Sequence, residues 1–507
     1  MEPHWLQPLL AAWASVRPPR TKMPATLRLG TDCSGLGAPE IALRALQSEL
    51  ALRIDCVYCS DTSSLARQWL TRHVHPRLLY RDLLTRELDS PSGRVRKPPR
   101  VQVYVAGFPC SDVSVLGRRK GLAGPQAAVM WSVCEHIAQS LPRAFVLENV
   151  LQPGSASTLP RALKELMRRL RRCLPGHDVT PFHVDAADYR CASHRPRVYI
   201  IGVVRKALRR PLDMWQPLLD GLKGRLEPSL TEILLSADAA PVQEALTVLR
   251  TCWKRPRAGW ASLLTRAHRK LIAEAKVAAS QALPAQRREL VVDLTMRWRV
   301  NFKVGVAPVL ATSSVLWHAG LQRRLVTEEK LRLLGFPLNM DLSGMPAGEV
   351  GKRAGLSMSL PAIASMLLVL LANVNFDKPV RHGVRHGRSM RIRPASYFRK
   401  RRRQQRELTR AAKSRDTQLQ RARRARAQAV AVARRRKADR KRHADYRANE
   451  STRARNKANR AAVARMRLLR ESRSPKARRK AKVADAQRKR KGHCELPKAK
   501  PKRPRTQ

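Results

Sequence analysis

The chain has 507 residues and a hydrophobic content of 43%, enough for two or three domains with a sizeable core. Lys and Arg number 102 against 38 Asp and Glu, and the resulting net charge of +64 indicates a polyanionic partner, most simply a nucleic acid. No run of about 18 apolar residues occurs, so the sequence predicts no membrane span and no membrane partner.

Residues 1–26 are rich in proline and basic residues, and they predict a flexible N-terminal extension. From residue 27 to about 204, short apolar strands alternate with helical segments, a pattern typical of an α/β fold with a mostly parallel sheet covered by helices on both faces. The predicted strands are Leu27–Thr31, Ile54–Cys59, Val101–Gly107, Ala144–Glu148 and Arg197–Val203. The predicted helices are Pro39–Gln47, Ser63–Arg72, Ala127–Gln139 and Pro160–Arg172.

A glycine turn follows the first strand. The segment from Asp32 and Cys33 through Gly35 and Gly37 leads into a helix that begins near Pro39. Glycine lets the backbone approach a ligand, and proline suits a first helical turn. The third glycine of the dinucleotide fingerprint is missing, so the pattern suits a cofactor with an adenosine but no pyrophosphate, such as S-adenosylmethionine.

Two acidic residues follow the next strands. Asp61 stands at the end of the second strand, where an acid commonly accepts hydrogen bonds from ribose hydroxyls; the alternative is a helix N-cap. Asp82 is a candidate for binding an adenine amino group or, alternatively, for capping a turn.

The second strand also carries two cysteines, Cys56 and Cys59, with the spacing of a metal-ligand pair. No second pair follows at a zinc-finger distance, and both lie in an apolar run, so we interpret them as core residues and predict no metal site. The nine cysteines of the chain are scattered and odd in number, which favours reduced thiols over a disulfide framework.

The third and fourth predicted strands end in residues with catalytic chemistry. Cys110 follows Pro109 at the end of the third strand and opens a polar, glycine-bearing loop, whereas Glu148 and Asn149 close the fourth. If the two strands are neighbours, a thiol and a carboxylate lie close together, and they form a nucleophile and acid pair.

After residue 205 the alternation of strands and helices stops and later returns. Residues 206–304 show no strand and helix alternation, which indicates an inserted or second domain. The alternation returns with a predicted strand at Val306–Ala311 and predicted helices at Thr327–Leu334 and Pro361–Leu371.

Beyond residue 376 the chain is an Arg/Lys-rich tail with too few large apolar residues for a core, so it is either disordered or a long basic helix. Basic clusters such as Arg399–Arg403, Arg434–Lys437 and Lys500–Arg505 are typical of nuclear-import signals and predict a nuclear location; the alternative is that they only bind phosphates.

The ordered set of motifs resembles the C5-cytosine-specific DNA methyltransferase family over roughly 27–205 and 305–372. It comprises the glycine turn, the strand-end acid, Gly107–Cys110, Glu148–Val150, Arg195–Gly202, Leu325–Pro337 and Ala354–Pro361. The resemblance implies a Rossmann-like S-adenosylmethionine-dependent methyltransferase fold. It divides the chain into a flexible extension (1–26), the first catalytic part (27–205), a target-recognition domain (206–304), the closing catalytic part (305–375) and the tail (376–507).

The resemblance also implies the catalytic roles. Cys110 would attack C6 of the cytosine, Glu148 would protonate or hydrogen-bond ring N3, and Asn149 would help to orient the site. Arg195 and Arg197 would stabilise the base and the covalent intermediate, since the guanidinium suits planar polar targets. The target carbon is inaccessible in stacked DNA, so the base must be flipped out.

Binding residues are implied in the same way. S-adenosylmethionine would meet Asp32, Cys33, Gly35, Gly37, Asp61, Asp82 and Pro109, together with Ser357 and Met358 from a late helix packed beside the first strand. The loop after the nucleophile would act as a lid, with DNA contacts from Ser114, Arg118, Arg119 and Lys120.

The chain departs from the family pattern at several positions. Cys33 replaces an aromatic residue, Ser193 replaces a glutamine, and Leu356 replaces an asparagine. The nucleophile, the acid and both arginines are kept, so we expect an active nuclear DNA (cytosine-5-)-methyltransferase.

The alternatives are a tRNA cytosine methyltransferase, whose Cys-Phe-Thr signature is missing here, a non-enzymatic chromatin-binding protein, and a mobile-element product. The sequence does not specify the target site or the oligomeric state.

Overall fold

The computed structural model describes residues 2–19, 23–90, 92–109, 125–151, 159–295, 300–377, 454 and 456–469. The chain divides into two compact units, Met1–Gly387 and Arg388–Gln507. The described residues of the first unit form two β-sheets and three apolar core clusters. The described part of the second unit is a basic helical segment over 456–469, whose side chains are exposed. The basic clusters that predict nuclear import lie outside the described residues.

The N-terminal segment differs from the flexible extension that the sequence predicts. Helix α1 (Leu6–Val16) packs into the main core, where Trp5, Leu9 and Trp13 are buried. The indole Nε1 of Trp5 donates a hydrogen bond to the carbonyl oxygen of Gly335 at 2.7 Å. The prediction is wrong for this helix because the large apolar side chains recur on one helical face, which then needs a partner surface.

Replacing Leu9 by Ala tests whether α1 is part of the folded unit. We expect Leu9→Ala to lower the free energy of unfolding by about 2–3 kcal/mol, because the substitution leaves a cavity in the core. Urea unfolding followed by circular dichroism measures the change. Gln7→Ala on the exposed face of α1 is the matched control, and equal stability of the two variants would show that α1 is detached from the core.

The main sheet has seven strands in the order β3-β2-β1-β4-β5-β7-β6. Its first five strands pair in parallel, and β7 is antiparallel to both β5 and β6. The predicted α/β architecture with a mostly parallel sheet is thereby confirmed. The strands are β1 (Thr26–Asp32), β2 (Arg53–Ser60), β3 (Leu78–Tyr80), β4 (Val103–Ala106), β5 (Ala144–Val150), β6 (His177–Asp185) and β7 (Pro196–Val204).

Helices cover both faces of this sheet. One face packs against α1, α2 (Ala38–Gln47), α3 (Ser64–His73) and the late helix α13 (Leu360–Asn373), and the other against α4 (Pro125–Ser140) and α5 (Arg161–Cys173). Every residue of α13 is buried, and α13 lies beside α2.

A second, smaller sheet has the order β11-β10-β8-β9. Its strands are β8 (Leu290–Asp293), β9 (Phe302–Val304), β10 (Leu316–His318) and β11 (Arg323–Arg324). Of the helices α6 (Trp215–Gly221), α7 (Leu230–Ile233), α8 (Ala240–Cys252), α9 (Arg266–Ala278) and α10 (Pro284–Arg288), α9 packs on this sheet, whereas α6 and α7 join the main core. The second sheet therefore crosses the predicted boundary between residues 304 and 305.

The predicted strand at Val306–Ala311 is wrong. This segment makes a single isolated bridge, between Ala307 and Ser193, and is otherwise irregular. Pro308 has no N–H to donate to a ladder, and proline is confined to strand edges and bulges.

Two helices complete the first unit before α13: α11 (Thr327–Leu333) and α12 (Ala347–Leu356). Within the described ranges, no single helix is long and apolar enough to cross a membrane. The pair α12 and α13, bent by 42° at their junction, meets the length and composition criteria together.

Candidate functional site

The glycine turn between β1 and α2 has the conformation that its sequence requires. Gly35 and Gly37 have φ of +54° and +68°, in the left-handed region that favours glycine. A Cβ on Gly37 would lie 2.5 Å from a methyl group of Val74, whereas a Cβ on Gly35 would enter open space. Gly37 therefore allows α2 to pack on its neighbours, and Gly35 leaves room above the turn.

Gly37→Ala is expected to lower the free energy of unfolding by about 1–3 kcal/mol, because the new methyl group collides with Val74 and the left-handed backbone becomes strained. Thermal and urea unfolding measure the loss. Gly176→Ala is a control at an open surface position with no close neighbour. A Gly37→Ala variant as stable as this control would contradict the close packing of Gly37 against Val74.

A pocket opens beside this turn, at the carboxyl ends of β1, β4 and β5. It joins the turn to the α12–α13 junction and to the end of β5. Its lining residues are Thr31, Asp32, Cys33, Ser34, Gly35, Ala38, Pro39, Val105, Gly107, Glu148, Leu356, Ser357 and Met358. Five of the predicted cofactor residues thus surround one cavity, together with the predicted acid Glu148. Of the other predicted cofactor residues, Gly37, Asp61, Asp82 and Pro109 do not line it.

Asp61 braces the turn from outside the pocket. Its Oδ2 accepts a hydrogen bond from the backbone N–H of Gly35 at 2.9 Å, and its Oδ1 accepts one from the N–H of Ser63 at 2.8 Å. The N-cap of α3 is Ser63, whose side chain accepts from Ala66, so the alternative of Asp61 as the N-cap is wrong. A ribose contact of Asp61 stays a prediction.

Asp82 caps a local turn. Its Oδ1 accepts a hydrogen bond from the backbone N–H of Leu84 at 2.8 Å, and burial raises the pKa of its carboxyl group. The turn-capping alternative therefore has a contact in the structure, and binding of an adenine amino group stays a prediction.

The Asp32 carboxylate is fully buried and already paired. Arg86 donates to both of its oxygens, at 2.6 and 2.8 Å, and the Tyr104 hydroxyl donates to Oδ2 at 2.8 Å. Burial alone would raise the pKa of Asp32, but the charge and hydrogen bonds of Arg86 hold it below the ordinary value. Asp32 therefore anchors the segment that carries Arg86 and Asp82. Sequence reasoning missed Arg86 because nothing local marks an arginine for a partner 54 positions away.

The carboxyl ends of β4 and β5 are neighbours, as the catalytic prediction requires. The amide Nδ2 of Asn149 donates to the carbonyl oxygen of Phe108 at 3.2 Å, which fixes the backbone two residues before Cys110. Gly107 is tightly enclosed, since a Cβ there would lie 2.9 Å from the terminal methyl group of Met358 and 3.5 Å from Glu148 Oε2.

Glu148 and Arg197 form an ion pair at the pocket wall. Arg197 Nε lies 2.8 Å from Glu148 Oε1, and both side chains are about nine-tenths buried. Arg197 lies in β7, which pairs with β5 in the antiparallel sense, so the hydrogen bonds between these two strands fix the positions of both residues. Sequence order alone placed these residues 49 positions apart; the sheet brings them into contact.

Arg195, two residues before Arg197, bonds to backbone carbonyl groups instead. Its guanidinium donates to the carbonyl oxygens of Leu310 and Gly355, each at 3.1 Å, and the side chain is buried. Burial and the neighbouring Arg197 lower the pKa of Arg195. These contacts tie the residue before β7 to Leu310 and to the end of α12, and a contact between Arg195 and the base stays a prediction.

Of the three departures from the family pattern, Cys33 and Leu356 line this pocket and Ser193 does not. Cys33 has φ of +53°, and burial raises the pKa of its thiol well above the ordinary range. The hydroxyl of Ser193 donates to the carbonyl oxygen of Pro308 at 3.0 Å, whereas Leu356 is exposed at the pocket mouth. The cavity therefore offers a thiol and a leucine where the family pattern has an aromatic ring and an amide.

The remaining predicted site residues lie outside the described residues. They are the nucleophile Cys110 and the DNA-contact residues Ser114, Arg118, Arg119 and Lys120. Pro109 is exposed at the last described position before them. Their roles stay predictions.

The sequence of this chain matches those of known methyltransferases. A model of the family described as C-5 cytosine-specific DNA methylase matches residues 33–370. The chain is 26% identical to the type II methyltransferase M.NgoBI of Neisseria gonorrhoeae over 274 residues, 52% of this chain and 72% of that protein. It is 25% identical to M.HaeII of Haemophilus aegyptius over 285 residues, 55% of this chain and 76% of that protein.

The match to M.HpaII of Haemophilus parainfluenzae is shorter: 26% identity over 169 residues, which are 33% of this chain and 44% of that protein. The family model, in contrast, spans the glycine turn, both strand-end motifs and most of α13. The chain therefore belongs to the C-5 cytosine-specific DNA methylase family, whose members use S-adenosylmethionine as the methyl donor, as the sequence predicted.

Proposed function

We propose that this protein is a nuclear DNA (cytosine-5-)-methyltransferase that transfers a methyl group from S-adenosylmethionine to C5 of a flipped cytosine in DNA, through a covalent bond between Cys110 and C6. The observation that carries the proposal is the buried Glu148–Arg197 pair, which lies at one pocket with the glycine turn. A carboxyl group, a guanidinium and a cofactor turn at one cavity suit chemistry on a planar heterocycle.

The residues of the pocket fit the cofactor. The open space above Gly35 admits a ligand against the backbone, and Ser357 and Met358 close the opposite side. When bound, S-adenosylmethionine supplies an electrophilic methyl group on its sulfonium. Gly107 and Glu148 line the same pocket, and Gly107 has no side chain to stand between them, so a methyl donor in the pocket and a cytosine at Glu148 can approach each other there.

The chain's own residues then act on the base. The Cys110 thiolate forms a bond to C6, and the displaced ring electrons shift through C5 and C4 to N3, which takes a proton from Glu148. C5 of the resulting enamine takes the methyl group and then loses its proton to a base; the C6–S bond breaks, N3 returns its proton to Glu148, and the thiolate is restored. Arg197 holds Glu148 in place at 2.8 Å, and Asn149 fixes the turn before Cys110 through Phe108.

The basic tail supports the DNA substrate and the nuclear location. Its charge adds salt-dependent affinity for any polyanion, independent of sequence. Its clusters of Lys and Arg are typical of nuclear-import signals.

Covalent trapping tests the proposal. Wild-type protein and Cys110→Ala are incubated with S-adenosylmethionine and duplex DNA that contains 5-fluorocytosine, because fluorine at C5 blocks the final elimination. We expect a complex that resists denaturation with the wild type only. A complex on fluorinated tRNA but none on DNA would assign an RNA substrate instead. If no covalent complex forms on either DNA or tRNA while salt-sensitive binding is retained, the protein is a non-enzymatic nucleic-acid-binding protein.

A further inference from the structure

A buried group of metal-ligand residues lies behind the glycine turn. The Sγ atoms of Cys56 and Cys59 are 3.6 Å apart, and Cys59 Sγ is 3.2 Å from Glu40 Oε1. One ligand atom from each of the three residues lies within 4.8 Å of the other two. All three side chains are buried in the main core, away from the Glu148–Arg197 pair.

A β-bulge creates this arrangement. Residues three apart in a regular strand face opposite sides of the sheet. The register of β2 against β1 shifts between Cys56 and Tyr58, so Val57 and Tyr58 both pack in the second core. Cys56 and Cys59 consequently face the same side, towards α2 and Glu40.

We propose that Cys56, Cys59 and Glu40 bind a structural Zn²⁺ ion, with the hydroxyl of Thr31 as the nearest fourth oxygen. Zn–S bonds of about 2.3 Å at tetrahedral angles set two sulfur atoms roughly 3.7 Å apart, and a Zn–O bond of about 2.0 Å sets sulfur and oxygen roughly 3.5 Å apart. The distances of 3.6 and 3.2 Å are close to both values. The Thr31 hydroxyl contacts Glu40 Oε1 and Cys59.

The electrostatics of the group favour a cation. Among the described residues, Glu40 Oε2 is buried with no hydrogen-bond partner beyond the amide of its own residue. The nearby Arg44 donates instead to the carbonyl oxygens of His73 and Val74, and Glu40 has no ion pair within the described residues.

Zinc at this position would brace the cofactor turn. Thr31 Oγ1 lies 2.7 Å from Ser34 Oγ, and Ser34 Oγ accepts a hydrogen bond from the backbone N–H of Ser60 at 3.0 Å. Thr31 and Ser34 both line the candidate cofactor pocket, so the ion would fix its floor without touching the reacting atoms. The inference is independent of the proposed enzymatic activity.

Metal analysis of the full chain tests the proposal. Reduced wild-type protein is incubated with zinc chloride alone, gel-filtered and analysed by mass spectrometry for zinc, and the same is done for Cys56→Ser and Cys59→Ser. Cys191→Ser, at another buried thiol of the same core cluster, is the matched control. We expect about one tightly held zinc ion per chain in the wild type and the control, and its loss in the two test variants.

Two results would overturn the proposal. A wild-type chain that retains no zinc would show that the three side chains form a neutral hydrogen-bonded cluster. Zinc retained equally by Cys56→Ser and Cys59→Ser would place the ion elsewhere. If the serine variants fail to fold, Glu40→Gln decides, because it keeps the side-chain size: the proposal requires it to hold zinc more weakly than the wild type in competition with a chromogenic chelator.

Discussion

Glu148→Gln is expected to lower the rate of methyl transfer by about 10²–10⁴-fold while the protein stays folded. The amide has the shape of the carboxyl group and still offers an oxygen to Arg197, but it cannot deliver a proton to ring N3. Charge that develops on the ring during thiol attack is then left unneutralised. Single-turnover transfer of a labelled methyl group from S-adenosylmethionine to duplex DNA measures the rate.

The control for this prediction is Glu165→Gln, which makes the same change at a carboxylate of α5 paired with Arg168. It is expected to leave the rate unchanged, because the pair lies outside the pocket. Cofactor binding, followed by calorimetry, separates a chemical defect from a damaged pocket. Transfer by Glu148→Gln within about threefold of the wild type, a change below the range of proton-transfer catalysis, would exclude Glu148 as the acid.

Arg86→Met is expected to lower the free energy of unfolding at pH 7 by about 3–5 kcal/mol, because it leaves the Asp32 carboxylate buried without its cation. The Asp32 side chain has no exposed surface, and that of Arg86 is 12% exposed, so solvent screens the pair weakly. Urea unfolding of wild type and variant measures the difference. Arg81→Met, at the more exposed pair with Asp89, is the matched control and should lower the free energy of unfolding by well under half as much.

The pH dependence gives this prediction a second readout. The folded-state pKa of Asp32 lies below its ordinary value of 3.8, so its contribution to stability is present above that value and is lost as pH falls through the lower, folded-state pKa. In Arg86→Met the remaining effect of burial raises the pKa of Asp32 instead. As pH falls, protonation therefore removes the destabilisation that the buried, unpaired carboxylate causes in the variant. The stability gap should therefore narrow on acidification, and a gap independent of pH would assign the loss to packing.

The sequence predicted the alternating core of the fold well, because β1 alternates apolar Leu27 and Leu29 with polar residues before its glycine turn, and β5 begins with a continuous apolar run. Strand β3 was missed because it has only three residues. Strand β6 was missed because polar residues interrupt its alternation and Pro181 stands in its middle. Helix α1 was missed because prolines on both sides masked its apolar stripe.

In the candidate site, the sequence predicted residue positions but not their contacts. The order of the motifs was enough to place Glu148 and Asn149 at the end of a strand, because the apolar pattern alone identifies that strand. The contacts that orient them required the structure, because Arg197 arrives from a strand that runs the other way. No local sequence signal marks the Asp32–Arg86 pair, because Arg86 comes from a distant loop. None shows that Cys56 and Cys59 face the same side of the sheet, because that depends on a β-bulge.

The position of α13 bears on how the protein is made. This helix covers α2, yet more than 300 residues separate them in the chain. At about 5–20 residues per second, a ribosome takes roughly 15–60 s to travel from one to the other, and throughout that time the apolar face of α2 lacks its final cover. The nascent chain therefore passes through a long, aggregation-prone interval, and we expect its yield in cells to depend on chaperones that bind exposed apolar segments during translation.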